Sequence, residues 1–120
     1  MPLGVLIIDD NPDFRTVARR LLERHGFVVV AEAETGISGI EQAHELSPDL
    51  VLVDVQLPDI DGFEVAERLS RLDVRIGVIL TSSLDASDFG SLVARSSALG
   101  FIPKAELSAS AIEALLAPVP

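Results

Sequence analysis

The sequence predicts a doubly wound α/β fold, and three observations predict it. Apolar runs of strand length alternate with segments of helical period along the 120 residues. The runs Leu3-Gly4-Val5-Leu6-Ile7-Ile8 and Leu50-Val51-Leu52-Val53 are continuously apolar, as strands buried on both faces of a parallel sheet are. Both runs end in aspartate: Asp9 and Asp10 close the first and Asp54 closes the second. In open α/β sheets, ligands bind in the crevice beyond the carboxyl ends of the strands.

Each element has its own local reason. Leu3–Ile8 is the first strand. Asn11 can accept from the free N–H groups of a helix start, and Pro12 has none to lose, so the pair opens a helix. Phe14, Val17, Ala18, Leu21 and Leu22 recur on one face of it, and Gly26 ends it. Val28–Ala33 is the second strand. Thr35-Gly36 leads into a helix carrying Ile37, Ile40, Ala43, His44 and Leu46, closed by Ser47-Pro48-Asp49. Leu50–Val53 is the third strand. After the loop Val55–Asp61, Gly62 starts a helix with Phe63, Val65, Ala66 and Leu69 inward. Ile76–Thr81 is the fourth strand, Ser83–Ser87 is loop, and a weak helix covers roughly Asp88–Ser96. Gly100–Ile102 is a short fifth strand. A last helix runs from about Ser108 to Leu116, and the tail Pro118-Val119-Pro120 cannot continue it.

Strands alternating with helices, joined by right-handed crossovers, leave few sheet orders open. The flavodoxin-like order 2-1-3-4-5 fits best, because strands one and three then flank the switch point. That order sets Asp9, Asp10 and Asp54 side by side. Three carboxylates so close repel one another unless a proton or cation intervenes. Carboxylate oxygens with room for water suit Mg²⁺.

Composition narrows the function classes. Apolar residues make up 48% of the chain, enough for a real core in one domain over residues 1–120. The chain has no cysteine, which excludes disulfides, zinc–thiolate sites and thiol nucleophiles. A net charge of −10 with nine Lys and Arg argues against direct nucleic-acid binding, which needs basic residues against phosphates. No apolar stretch approaches the ~20 residues of a membrane span, and the N-terminus has no signal-peptide pattern. The expected location is cytoplasmic.

The ordered set Asp9-Asp10, Asp54, Pro58 and Gly62 after it, a hydroxyl at the end of strand four and Lys104 after strand five resembles the receiver domain of two-component response regulators. The match covers nearly the whole chain. The resemblance implies that Asp54 accepts a phosphoryl group, and that Asp9, Asp10, Asp54 and the Gln56 backbone carbonyl hold Mg²⁺. Mg²⁺ would offset the charge on carboxylate and phosphate and align them for in-line attack. Lys104 would place a fixed positive charge on the incoming phosphoryl oxygens. For the switch hydroxyl, the intervals from Lys104 and Asp54 land on Ser82, whereas the apolar run Val78-Ile79-Leu80 points to Thr81 as the alternative. Phe101 occupies the place of an aromatic that swings between buried and exposed positions; its other reading is a core residue. Asp59 and Asp61 read as loop residues, and His25 and His44 as helix residues away from the pocket.

Two features depart from the family pattern. Ala105 follows Lys104 where the family has proline, so the bond is expected trans and the lysine less tightly placed. The segment Ser83–Leu99 is rich in Ser, Asp and Gly, which predicts a short or mobile fourth helix.

The resemblance implies a phosphorylation switch of the stand-alone type rather than an enzyme, with slow self-dephosphorylation at most. Its donor would be a sensor histidine kinase or a histidine phosphotransfer protein. Output to another protein, or a homodimer, would use the surface of helix four, strand five and helix five. Two other readings differ in class. One is a degenerate receiver that docks partners without phosphorylation. The other is a Mg²⁺-dependent phosphohydrolase with an aspartyl nucleophile. That enzyme class has a second aspartate two residues after the nucleophile, where this chain has Gln56. A nucleotide-binding fold is disfavoured, since no Gly-rich loop follows strand one.

Overall fold

The computed structural model describes residues 2–72, 75–84 and 86–116; Pro118, Val119 and Pro120 lie outside them. Five parallel strands, β1 (Gly4–Ile8), β2 (Val28–Ala33), β3 (Leu50–Asp54), β4 (Gly77–Ser82) and β5 (Gly100–Pro103), form one sheet in the order β2-β1-β3-β4-β5. The helices are α1 (Pro12–Arg24), α2 (Gly36–Leu46), α3 (Gly62–Ser70), α4 (Leu92–Arg95) and α5 (Ala109–Leu116).

The sheet separates two apolar layers. On one face Val5, Ile7, Leu50, Leu52, Ile79 and Ile102 pack against Ala18 and Leu22 of α1 and Ile112 of α5. On the other, Leu6, Ile8, Val51, Val53, Val78 and Leu80 pack against Ala43 of α2 and Val65, Ala66 and Leu69 of α3. Burial on both faces explains why these strands read as unbroken apolar runs.

The helix starts follow from their caps. Asn11 Oδ1 accepts from the N–H groups of Asp13 (2.9 Å) and Phe14 (3.3 Å), and Thr35 Oγ1 accepts from Ser38 N–H at 3.1 Å. Gly26, at φ +90°, makes the left-handed turn out of α1. His25 falls just beyond the end of α1 rather than within it, and its Nδ1 lies 3.0 Å from the Leu21 carbonyl.

The segment after β4 departs most from a regular pattern. The single weak helix expected over Asp88–Ser96 is replaced by a 3₁₀ turn, Ala86–Phe89, and the one-turn α4. Ser91 caps α4 without a side-chain bond, and no residue of α4 is buried. With neither cap nor apolar face, nothing extends this helix. A further 3₁₀ turn, Lys104–Glu106, follows β5.

Candidate metal and phosphoacceptor site

β1 and β3 are neighbours, with Ile8 opposite Val53, so the residues that follow them meet at the carboxyl edge of the sheet. Asp9 and Asp54 are 1% and 5% exposed, while Asp10 is exposed. One carboxylate oxygen from each of Asp9, Asp10 and Asp54 lies within 4.8 Å of the others.

Backbone donors fix the two buried carboxylates. Asp9 Oδ1 accepts from Asn11 N–H at 2.9 Å, and Asp54 Oδ1 accepts from Gln56 N–H at 3.1 Å. The second bond turns the chain just after Asp54, where the Gln56 carbonyl belongs. Lys104 reaches in from the end of β5. Its Nζ lies 2.9 Å from Asp9 Oδ2 and 3.2 Å from Asp54 Oδ2, and 4.6 Å above the centre of the Phe14 ring. The peptide bonds among the described residues are trans, Lys104–Ala105 included. The expected looser seat for Lys104 is not found: two carboxylates and an aromatic face hold it, and these contacts do not need the missing proline.

Burial raises the Asp54 carboxyl above its ordinary range, and the Asp9 charge adds to this against the opposing Gln56 N–H and Lys104. Burial works against the Lys104 ammonium, yet the bond and charge of Asp9 and the charge of Asp54 leave it raised. The pocket thus concentrates more negative charge than Lys104 alone neutralises. Asp9 Oδ2 is buried, and its partner is the Lys104 ammonium at 2.9 Å, which Asp54 Oδ2 shares at 3.2 Å. Three clustered carboxylates with one ammonium among them fit a hard divalent cation that keeps part of its water shell.

The loop after β3 is braced on both sides. Gly62 N–H donates to the Val55 carbonyl at 2.8 Å. A Cβ on Gly62 would stand 2.5 Å from the Asp54 carbonyl oxygen and 2.8 Å from Val55 Cα, so only glycine lets α3 begin this close. Asp59 and Asp61 do more than fill the loop. Asp61 caps α3, with Oδ1 2.8 Å from Glu64 N–H. Asp59 reaches the start of α2 and accepts from Gly36 and Ile37 N–H, both at 2.8 Å. Burial is the largest single influence and acts to raise its carboxyl, but the N–H groups of Ile37 and Gly36, with those of Ile60 and Asp59, together bring it below the usual range.

The two candidate hydroxyls lie on adjacent residues of β4 and so point to opposite faces. Thr81 is in register with Asp54 and its Oγ1 is buried without a partner. Ser82 is fully buried, and its Oγ accepts from Leu84 N–H at 3.1 Å. The Ser82 hydroxyl proton therefore stays available while its lone pair holds the loop. Phe101, half-buried, stacks on Phe89 with centroids 5.6 Å apart, and Phe89 meets Phe63 edge-on at 5.8 Å. Phe101 is thus turned into an aromatic stack that includes the turn before α4.

Some residues at this edge have roles that differ from, or go beyond, their sequence reading. Asp61 followed three residues later by Glu64 is a capping pattern that could have been read. Phe14, Phe89 and Arg15 gain their places only through tertiary packing.

The sheet order and the carboxylate cluster at its carboxyl edge together define a doubly wound domain with a site suited to a divalent cation. The chain matches the response regulator receiver domain family over residues 5–116, and it belongs to that family. It is 40% identical to the transcription regulator BvgA of Bordetella pertussis over 102 residues, which cover 85% of this chain and 49% of BvgA. It is 36% identical to the chemotaxis protein CheY of Bacillus subtilis over 80 residues, 67% of each chain. A two-component response regulator of the LuxR family from Aurantimonas superposes with a TM-score of 0.86 at 30% identity, covering 97% of this chain and 86% of that one. The chain spans about half the length of BvgA and of a Pseudomonas aeruginosa transcriptional regulator that it also matches. Receivers of this family are phosphoacceptor modules of two-component signalling that bind Mg²⁺ at an acidic pocket and work with histidine kinases or phosphotransfer proteins. No described helix is long and apolar enough to cross a membrane.

Proposed function

We propose that Asp54 is the phosphoacceptor, that Asp9, Asp10, Asp54 and the Gln56 carbonyl hold Mg²⁺, and that residues 1–120 act as a single receiver domain. The observation that carries this reading is the buried Asp9–Asp54 pair bridged by Lys104, with Asp10 beside it, so that three carboxylates share one ammonium.

In the transfer, an Asp54 oxygen attacks the phosphorus of a phosphohistidine or acetyl phosphate. The new O–P bond forms as the donor's N–P or O–P bond breaks, and the bonding pair leaves with the imidazole or the acetate. Bound Mg²⁺ would supply charge neutralisation between the two anions. Lys104, already near Asp54 Oδ2, is placed to follow the phosphoryl oxygens. The Ser82 hydroxyl would donate to the phosphoryl group and draw the Leu84 loop inward, freeing Phe101 to repack. The readout would be the surface of α4, β5 and α5, recognised by an output protein or a second copy. The protein takes up one phosphoryl group rather than turning over a substrate, in the cytoplasm where its donors act.

Intact mass after incubation with acetyl phosphate and Mg²⁺ tests this. One added phosphoryl group is expected, absent without Mg²⁺ and absent in Asp54→Asn. A phosphoryl adduct that persists in Asp54→Asn would remove Asp54 from the role.

A further inference from the structure

We propose that Arg15 is a positioning residue for the Asp9–Asp10 pair, held in place by Glu32, and that it strengthens the binding of Mg²⁺. The inference rests on the metal reading above.

Arg15 follows the Asn11 cap on α1, and its N–H donates to the Asn11 carbonyl at 3.1 Å. Its side chain turns back over the end of β1, where Nη1 donates to the Asp9 carbonyl at 2.6 Å. That carbonyl belongs to the peptide that joins Asp9 to Asp10. Fixing its plane fixes the direction in which Asp10 leaves the strand, and so how the two carboxylates face each other.

The guanidinium is itself fixed. Its Nε lies 3.1 Å from Glu32 Oε1 on β2, and its Nη2 lies 3.8 Å from Glu34 Oε1. The other oxygen of Glu32 pairs with Arg19, so this carboxylate is anchored on both sides. The Arg15 side chain is only 13% exposed and that of Glu32 27%. A planar fork used in several directions at once is something Arg provides and Lys does not.

Arg15 has two effects on a nearby cation, and they oppose each other. Its positive charge repels Mg²⁺, while its hydrogen bond orders the oxygens that would bind it. Glu32, shared with Arg19, and Glu34 offset part of the charge, and the ordering effect outweighs the rest. Groups that orient metal ligands commonly matter by an order of magnitude.

The test is calorimetric titration of Mg²⁺ into wild type, Arg15→Gln, Glu32→Gln and Arg71→Gln, with the Asp10 amide followed by NMR. Arg15→Gln is expected to bind Mg²⁺ roughly tenfold more weakly and to shift the Asp10 amide. Glu32→Gln should weaken binding in the same direction, and Arg71→Gln, which removes only an exposed pair with Glu67 at the end of α3, should leave it near wild type. Folded Arg15→Gln that binds equally well or more tightly overturns the proposal, including when only its melting temperature falls. If Arg15→Gln does not fold, Arg15→Lys decides: it reaches one partner but not both, so weaker binding supports the proposal and unchanged binding overturns it. A wild type that fails to bind Mg²⁺ would sink the metal reading itself.

Discussion

Lys104 stands closer to Asp9 than to Asp54, at 2.9 Å against 3.2 Å. In the metal-free protein its ammonium lies between two buried carboxylates and holds them together. Phosphorylation at Asp54 would draw it toward the newcomer, away from its nearer partner.

Lys104→Met should therefore destabilise the metal-free fold strongly at neutral pH. It leaves two buried carboxylates uncompensated, at a cost of about 3–5 kcal/mol. Lys104 is raised in the folded state, so the stability it contributes is present below the ordinary value of 10.5 and is lost as pH rises through the raised one. Urea unfolding of both proteins at neutral and strongly alkaline pH checks this: the difference should be largest near pH ~7 and shrink above Lys titration.

Asp54→Asn should have the opposite effect. Burial makes the folded form hold the Asp54 proton more tightly than the unfolded chain does. Its contribution to metal-free stability is thus lost as pH rises from the ordinary 3.8 through the raised value. At neutral pH the variant should be more stable by on the order of 1 kcal/mol, or about 4 °C in melting temperature. Below pH 3.8 the gap should close. Mg²⁺ should stabilise wild type more than the variant. A variant melting below wild type at neutral pH without metal would contradict the charge argument.

Ser82→Ala and Thr81→Val separate the two hydroxyls. We expect Ser82→Ala to accept phosphate but to lose the shift of the Leu84 amide that phosphorylation causes, because the loop's anchor is gone. Thr81→Val should keep that shift and stay as stable as wild type, since it removes a buried hydroxyl that has no partner. The reverse pattern would transfer the switch to Thr81.

Leu84 is 41% exposed beside the pocket and has no group that could orient an attacking water. Leu84→Glu or Leu84→Asn should speed loss of the phosphoryl group by about tenfold, or ~1.4 kcal/mol in barrier. Unchanged decay of the phosphoprotein would count against the idea.

Gly62→Ala should cost about 2–3 kcal/mol, because its methyl would collide with the Asp54 carbonyl and Val55 Cα, both backbone. Relief can come only by moving the start of α3 or the end of β3. Slower phosphorylation should accompany the lower melting temperature.

Most of the sheet and the centre of the site were legible in the sequence, for identifiable reasons. Strands buried on both faces cannot alternate, so Leu50–Val53 announces itself, and Asp9, Asp10 and Asp54 stand out at the ends of such runs. Asn11, Thr35 and Gly26 mark helix ends by purely local chemistry. What local chemistry does not carry was missed. The Ser, Asp and Gly of the segment before β5 announce a short fourth helix, which α4 is, but not the 3₁₀ turn ahead of it, and Phe89 finds its place only through contact with Phe63 and Phe101. The Arg15–Glu32 pair depends on the register of β2 against β1, which is shifted between Val5 and Leu6. The missing proline after Lys104 is a local signal of a loose seat, whereas carboxylates distant in sequence, Asp9 and Asp54, hold the side chain.

The aromatic stack has an optical consequence. The chain contains five Phe and neither Trp nor Tyr, so phenylalanine alone colours its near-ultraviolet spectrum. Phe63, Phe89 and Phe101 sit in one asymmetric cluster next to the segment expected to move, and Phe14 lies under the Lys104 ammonium. Four of the five chromophores thus border the machinery of the switch. The sharp dichroic bands of phenylalanine, too weak to see in most proteins against tyrosine and tryptophan, would here report the signalling state of the unlabelled molecule.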